Sequence, residues 1–295
     1  MKKTAKAAAL VAAVVLAAGL TACQKKDGAE ASGAAQQPAG TAKAAKPTPV
    51  NEFSRELTED GSGVKILKYN GSAKNVVIPS EIEGLPVKII GRSAFRDNET
   101  MKSVTIPDSV EEIGGGAFRA CTALERVTLG NSVQIIDSIY FDDSASGAFQ
   151  GCTALKSITI PDSVKEIGAS AFKGCTALKS VTLGNSVQVI ATKSTGDGAF
   201  QECTALESII IPDSVEEIGW AAFRDCTALK SVTLGNSVQK IGVGAFNGCT
   251  ALQSLTIPDS LQKIEFPKNW SVFSGTELPL ATQARLKALG YTERF

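Results

Sequence analysis

The chain has 295 residues, of which 43% are apolar, and this suits one large folded domain or two ordinary ones. Lys and Arg balance Asp and Glu at 30 each, but residues 51–295 are net acidic by five, because the first 50 residues hold seven Lys and two acids. A net acidic folded part is a poor match for nucleic acid. The sequence contains no His, which excludes a Ser–His–Asp triad, a Cys–His dyad and any His-ligated metal.

Residues 1–22 have the layout of a secretory signal peptide. Three lysines precede an apolar stretch from Ala7 to about Leu20, which is too short for a comfortable transmembrane helix. The stretch ends in Leu-Thr-Ala followed by Cys23, and this motif resembles the bacterial lipobox. The resemblance implies a diacylglyceryl group on the Cys23 thiol, cleavage before Cys23 and acylation of the new N-terminus. The alternative is a plain signal peptide with an unmodified Cys23.

The residues after Cys23 indicate how the chain would be delivered and tethered. In many Gram-negative bacteria an Asp directly after the lipidated Cys retains a lipoprotein in the inner membrane, and Gln24 stands there instead. The expected location is therefore the outer membrane, at the cell surface or, alternatively, at its periplasmic face. Residues 23–50 are rich in Ala, Gly, Gln, Lys and Pro, which predicts a disordered, lipid-anchored linker. Residues 51–295 form the remaining domain.

The dipeptide Ala-Phe recurs at a nearly constant interval through that domain. Successive Phe residues are 23 residues apart except for two intervals of 31 and 28, and they stand at Phe95, Phe118, Phe149, Phe172, Phe200, Phe223 and Phe246. A period in this range indicates a solenoid. Each unit also contains Leu-x-x-Val/Ile/Leu-x-Leu/Ile, whose last two apolar positions alternate like a buried strand before Pro or Gly ends it.

The units resemble the Treponema-type leucine-rich repeats of BspA-like bacterial surface proteins, which carry Ile-Gly-x-x-Ala-Phe-x-x-Cys and Leu-x-x-Ile-x-Ile-Pro. The resemblance covers about residues 64–276. It implies a leucine-rich-repeat solenoid with a parallel β-sheet on one face and short turns or helical segments on the other. BspA-like proteins are associated with adhesion, so the resemblance also implies a surface that binds other macromolecules.

The two ends of the domain differ from the repeats, as capping segments should. Phe53–Tyr69, with a Gly- and Ser-containing turn at residues 60–63, predicts a β-hairpin over the first coil. Residues 279–289 predict a short helix with Leu280, Leu286 and Leu289 on or near the face that covers the last coil. A solenoid capped at both ends is expected to be a monomer.

Six cysteines occupy one equivalent position in each repeat, at Cys121, Cys152, Cys175, Cys203, Cys226 and Cys249. Stacked coils lie roughly 5 Å apart, which is within disulfide reach. The Cβ vectors of neighbouring cysteines would be nearly parallel, which suits a disulfide poorly. The sequence therefore favours a ladder of buried thiols over disulfides, and it predicts no metal site or cofactor apart from the lipid on Cys23.

The outward positions of the strands form columns of Ser and Thr, in which Arg126 and Ile210 are the two breaks. The columns are either a solvated face or a broad hydrogen-bonding surface. Trp220 replaces the small residues that precede Ala-Phe in other repeats, and it is either an exposed anchor or the cover of a seam.

Two insertions carry the other candidate binding residues. The first spans residues 135–147 and contains Tyr140, Phe141, Asp142 and Asp143; the second spans residues 190–198 and contains Lys193 and Asp197. Both enter at one corner of the coil, two coils apart, where insertions into solenoids often form the binding face. The alternative is that they are tolerated length variants whose aromatic side chains pack back onto the solenoid. A calcium site formed by Asp142, Asp143 and Asp197 is a further reading, although no EF-hand pattern supports it.

These features favour binding over catalysis. The expected partner is a protein or a glycan at the cell envelope or the host surface, and the membrane is reached through the lipid anchor. A periplasm-facing scaffolding lipoprotein is the alternative. A hydrolase that uses Asp142 and Asp143 has little support, because two adjacent acids in a loop imply no cleft. We expect no enzyme activity, no catalytic residue and no nucleic-acid partner.

Overall fold

The computed structural model describes residues 46–141, 144–191, 197–265 and 271–295, with residues 138–141, 144 and 145 described by backbone alone. Within these ranges a 3₁₀ helix at Val50–Glu52 is followed by 21 strands and one α-helix. The first eleven strands are β1 Phe53–Leu57, β2 Val64–Tyr69, β3 Asn75–Val77, β4 Glu81–Ile82, β5 Leu85–Ile90, β6 Ser103–Thr105, β7 Glu112–Ile113, β8 Arg126–Thr128, β9 Ile135–Ile136, β10 Ser138–Phe141 and β11 Ser144–Gly147. The others are β12 Ser157–Thr159, β13 Glu166–Ile167, β14 Ser180–Thr182, β15 Val189–Ile190, β16 Ser208–Ile210, β17 Glu217–Ile218, β18 Ser231–Thr233, β19 Lys240–Ile241, β20 Ser254–Thr256 and β21 Lys263–Ile264, before α1 Leu280–Ala288.

Each repeat coil contributes one strand to each of two layers, and within a layer the strands of successive coils are parallel. The long sheet has the order β1-β2-β5-β7-β9-β13-β15-β17-β19-β21, with β4 paired to β5. The second layer consists of two shorter sheets, β3-β6-β8-β12-β14 and β16-β18-β20, which we call the strand face. The predicted leucine-rich-repeat solenoid is thus confirmed. The long sheet is an addition, because short turns or helical segments were expected on the face opposite the predicted sheet.

A column of stacked phenylalanines runs through the interior. Equivalent Phe rings of successive coils lie 4.7–5.7 Å apart between centroids, at interplanar angles of 2–18°, from Phe95 to Phe273. Each of these rings is almost completely buried. A single coil has no facing layer for its Phe, so burial of apolar area depends on the coil above and the coil below.

The six repeat cysteines are free and buried, in agreement with the predicted thiol ladder. Each Sγ donates a hydrogen bond to the backbone carbonyl of the Phe in the preceding coil, at 3.0–3.2 Å. Burial raises the pKa of Cys175 and of Cys249 to about 12. The thiols of Cys175 and Cys249 are therefore protonated hydrogen-bond donors between coils at neutral pH.

The N-terminal hairpin is confirmed: β1 pairs antiparallel with β2, and Phe53 and Tyr69 pack on the first ring of the Phe column. At the same end, the backbone amide of Thr48 donates to the carbonyl of Val77, and the amide of Val77 donates to Thr48 Oγ1. This contact covers the free edge of β3, and prolines on both sides of Thr48 prevent its extension into a regular strand.

The C-terminal helix is also present, with one correction to its predicted face. Leu286 is fully buried, whereas Leu280 is 83% exposed and does not cover the last coil. Tyr291 and Phe295, beyond the helix, pack against Phe273 and complete the cap. Leu280 lies six residues before Leu286, and at 3.6 residues per turn this spacing places it about 120° around the helix from the buried side chain. No helix within the described residues has the length and apolar character needed to cross a membrane.

Candidate functional site

The first insertion forms a β-hairpin that leaves one corner of the solenoid. Strands β10 and β11 pair antiparallel from Ser138↔Gly147 to Phe141↔Ser144. The hairpin starts directly after β9, and its base is closed by a hydrogen bond from the amide of Ala148 to the carbonyl of Asp137, at 3.2 Å. Because β9, β13 and β15 are successive strands of the long sheet, the second insertion leaves β15 at the same corner, two strands or roughly 10 Å away.

Several predicted site residues lie outside what the structure describes. Asp142, Asp143, Lys193 and Cys23 are outside the described residues, and the predictions for them remain untested. Tyr140 and Phe141 belong to β10, but nothing is described of their side chains. Their backbone positions place both residues near the tip of the hairpin.

Cations from the solenoid hold the ends of both insertions. Asp197, at the end of the second insertion, accepts a hydrogen bond from Lys173 Nζ at 2.6 Å, and both side chains are about four-fifths buried. In the first insertion, Ser146 Oγ accepts from Arg119 Nη1 at 3.3 Å. Arg119 and Lys173 both directly follow the repeated Ala-Phe, each in the coil preceding the insertion that it holds. Neither cation was among the predicted site residues, although their shared repeat position is visible in the sequence.

Trp220 lies close to the second insertion. Strand β17 pairs in register with β15, so Trp220, two residues beyond β17, lies beside the point where the second insertion leaves the coil. Its side chain is half-buried. Asp197 and Trp220 therefore belong to one surface with the hairpin, which we call the insertion corner.

Arg126 and Ile210 belong to a different surface. Both are exposed on the strand face, in β8 and β16 respectively, whereas the insertions leave from the long sheet. Ile210 is 70% exposed and pairs in register with Thr233. The structure thus divides the predicted site residues between the insertion corner and the strand face and does not bring them together.

Comparison with known proteins identifies the repeat. Residues 65–190 and 144–266 match the family model described as BspA type leucine rich repeat region, with six copies. The chain belongs to this family. A search of curated proteins finds no match.

The chain is also similar to solved structures of bacterial leucine-rich proteins. The leucine-rich-repeat protein of T. pallidum is 31% identical at a TM-score of 0.60, over 85% of this chain and 99% of that one. A leucine-rich cell surface protein of Faecalibacterium prausnitzii is 27% identical at a TM-score of 0.38, over 79% of this chain and 80% of that one. Leucine-rich-repeat proteins generally bind proteins, and their solenoid is typically a non-enzymatic scaffold.

A groove at the N-terminal end of the BspA-type solenoid was not anticipated. It has a volume of about 460 Å³ and lies between β1 and the turn that follows β4. Exposed Leu57 and buried Ile82 contribute apolar walls, and an ion pair between Arg55 and Glu83 crosses it. The ion pair ties the hairpin cap to the first coils, which gives the groove a structural role.

Proposed function

We propose that the chain is a lipid-anchored cell-envelope protein whose repeat solenoid binds other macromolecules, in adhesion to host or matrix proteins or to other bacteria. The observation that carries this proposal is the insertion corner, where two insertions leave adjacent parts of one sheet and each is tied down by a cation. A loop fixed at its base loses less conformational entropy on binding than a free one. Membership of a protein-binding repeat family supports the same function.

The lipid anchor follows from the sequence around Cys23. Modification of this residue would connect the solenoid to the membrane through the linker, and the linker enters the fold at Thr48, beside the first coils. We expect cells that produce the natural chain to incorporate labelled palmitate into it, and to retain it in the membrane fraction. Cys23→Ser removes the acceptor thiol, so label and membrane retention should both be lost. Retention of the label in the Cys23→Ser protein would contradict the anchor.

The side of the membrane decides between adhesion and a periplasmic scaffold. Intact cells would be treated with protease, with a periplasmic protein as control. Digestion of residues 51–295 while the control is spared supports the surface location. Protection of the solenoid until the outer membrane is broken would contradict adhesion and favour a periplasmic scaffold.

The insertion corner is tested directly by removing the hairpin. Deletion of residues 139–146 should leave the Phe column intact and should reduce adherence of the cells to matrix proteins. The matched control is Ile135→Thr, which changes an exposed side chain on β9, at the start of the first insertion, without altering the hairpin. Equal adherence of the deletion variant and the natural chain would set the insertion corner aside.

A further inference from the structure

The strand face is interrupted at the two coil boundaries that carry the insertions. At other boundaries three residue pairs are in register, as between β16 and β18. Across the first insertion, β8 and β12 share a single pair, Arg126↔Ser157. Across the second, β14 and β16 belong to separate sheets. The long sheet stays continuous at both boundaries, so the opening is confined to one side of the solenoid.

A salt bridge crosses the strand face at the first interruption, and the described residues form none across it at the second. Glu125 Oε2 accepts from Lys156 Nζ at 2.9 Å across the first, beside a long backbone hydrogen bond of 3.4 Å. Beside the second, Glu207 pairs with Lys230, in the coil away from the gap, at 3.3 Å. Lys179, the exposed residue at the position of Glu207 in the preceding coil, forms no salt bridge with any of the described residues.

The second interruption is a bounded slot rather than a general separation of coils. Thr204 Oγ1 donates to the carbonyl of Thr176 at one end, at 3.4 Å. Ser214 Oγ donates to the carbonyl of Val187 at the other end, at 2.7 Å. We call the region between these bonds, formed by residues 179–183 and 207–211, the β14–β16 slot.

Apolar side chains are more accessible in the strands that precede the two interruptions. Val127 and Leu129, before the first interruption, are only partly buried. Val181 and Leu183 are each 8% exposed, whereas Ile158 and Ile160, their equivalents in the preceding coil, are 2% and 1% exposed. Ile210 is 70% exposed on the opposite lip of the slot. Thr stands at the position of Ile210 in the neighbouring strand on either side, so the apolar break in the column coincides with the gap in the ladder.

We propose that the β14–β16 slot is the anchor point for a protein partner. The partner places one aliphatic or aromatic side chain against Ile210, Val181 and Leu183, and an acidic group beside Lys179. Apolar burial favours the first contact, and the unpaired ammonium of Lys179 favours a carboxylate for the second. This inference rests on the proposed function, that the solenoid binds proteins, and specifies where it does so.

The test uses a phage-displayed library of random peptides selected against the purified full-length chain. Enriched peptides should combine a large apolar residue with Asp or Glu. Ile210→Thr should weaken their binding by about tenfold or more, as expected for loss of a central apolar contact. Lys179→Glu should weaken it similarly. Both variants should fold, because Thr stands in the Ile210 column and Glu in the Lys179 column of other repeats.

The matched controls lie on the long-sheet side of the solenoid. Ile135→Thr changes the other strongly exposed isoleucine, and Lys165→Glu changes an exposed lysine; neither should alter peptide binding. Peptides that bind the Ile210→Thr and natural chains equally would overturn the slot while leaving the proposed function in place. A selection that enriches no peptide would overturn the assignment of a protein partner. Binding to a glycan array that is weakened by Ile210→Thr, and by neither control variant, would overturn it as well. The adherence assay on cells tests the proposed function separately.

Discussion

At the scale of the residue, one backbone position in each coil takes the left-handed conformation. This is the second residue after the repeated Phe, and in four coils it is a Gly with φ between 71° and 81°. In four others it is Asp97, Ala120, Glu202 or Asp225, with φ between 56° and 62°. A residue with a Cβ pays a steric cost in this conformation that Gly does not, so these four coils carry local strain.

Ala120→Gly should therefore stabilise the protein by about 0.5–1 kcal/mol, since the relief of strain exceeds the added entropy of the unfolded chain. Urea unfolding followed by circular dichroism measures the change. The reciprocal control is Gly174→Ala, where the nearest atom to a new Cβ is 3.9 Å away. Because the new Cβ clashes with nothing, the expected loss of stability in Gly174→Ala, about 1 kcal/mol, would measure backbone strain alone. A loss of stability in Ala120→Gly would contradict this account.

The buried thiols predict a dependence of stability on alkaline pH. Burial holds the pKa of Cys175 at about 12 in the folded chain, against 9.0 for an ordinary thiol. Between these values the unfolded chain loses a proton that the folded chain keeps, so the free energy of unfolding falls as pH rises. Below pH 9 both states are protonated and this contribution is fully present. Chemical denaturation at pH values between 8 and 11 should show the decline.

Cys175→Ala isolates the effect of one thiol. Above pH 9, the free energy of unfolding of Cys175→Ala should fall less steeply with pH than that of the natural chain, because unfolding releases up to about one proton fewer. Its stability at pH 7 should be somewhat lower, because the hydrogen bond of the thiol is lost. Lys and Tyr titrations are common to both proteins and cancel in the comparison. Parallel curves for the two proteins would show that Cys175 does not couple to folding.

At the scale of the element, the C-terminal helix carries one buried and one exposed leucine. Leu286→Ala should cost about 2–5 kcal/mol, because the side chain is fully buried beside the last coil. Leu280→Ala should change stability by less than about 0.5 kcal/mol, because that side chain is 83% exposed. Thermal unfolding of the two variants measures the difference. Similar midpoints for the two would mean that the helix does not cap the solenoid.

The repeat pattern was sufficient to predict the strand face, the thiol ladder and both caps. Identical positions in successive coils must stack, so one assignment applies to all of them. The long sheet was missed because its strands from β7 to β21 have two residues each, too few to show an alternating pattern. Leu280 was misplaced because it stands six residues from Leu286, a spacing that puts the two side chains on different faces of a helix.

The candidate site was only partly predictable. The column of outward positions identified Ile210 and Arg126 as breaks, and insertion lengths identified the insertion corner. The slot beside Ile210 exists because β14 and β16 are not paired. Because both strands have ordinary repeat sequences, nothing in the sequence indicates this missing pairing. The hydrogen bonds from Arg119 and Lys173 to the insertions are contacts between coils, which a shared repeat position suggests but does not establish.

At the scale of the whole molecule, coil boundaries differ in how firmly they are closed. The Phe column and the long sheet cross every boundary from β7 to β21, whereas the strand face opens at the two that carry insertions. Because each coil contacts only its neighbours, a boundary held on one side is free to bend about that side. The β14–β16 boundary is therefore the expected bending point of the solenoid, and a partner bound in the slot would restrict the motion.

Hydrogen exchange tests this expectation. Amides of residues 180–182 and 208–210 should exchange faster than those of β18 and β20, which lie in the same face at a boundary without an insertion. Amides of β15 and β17 should stay protected, because they pair across the open boundary in the long sheet. Equal protection at both boundaries of the strand face would show that the slot closes in solution.

Deletion of residues 192–196 supplies the decisive variant, since it restores the 23-residue spacing between Phe172 and Phe200. If the extra five residues hold the boundary open, β14 and β16 should now pair in register, and their amides should exchange as slowly as those of β18. Peptide binding at Ile210 should weaken in the same variant, because Val181 and Leu183 become covered. Slow exchange without loss of peptide binding would separate the bending point from the anchor site.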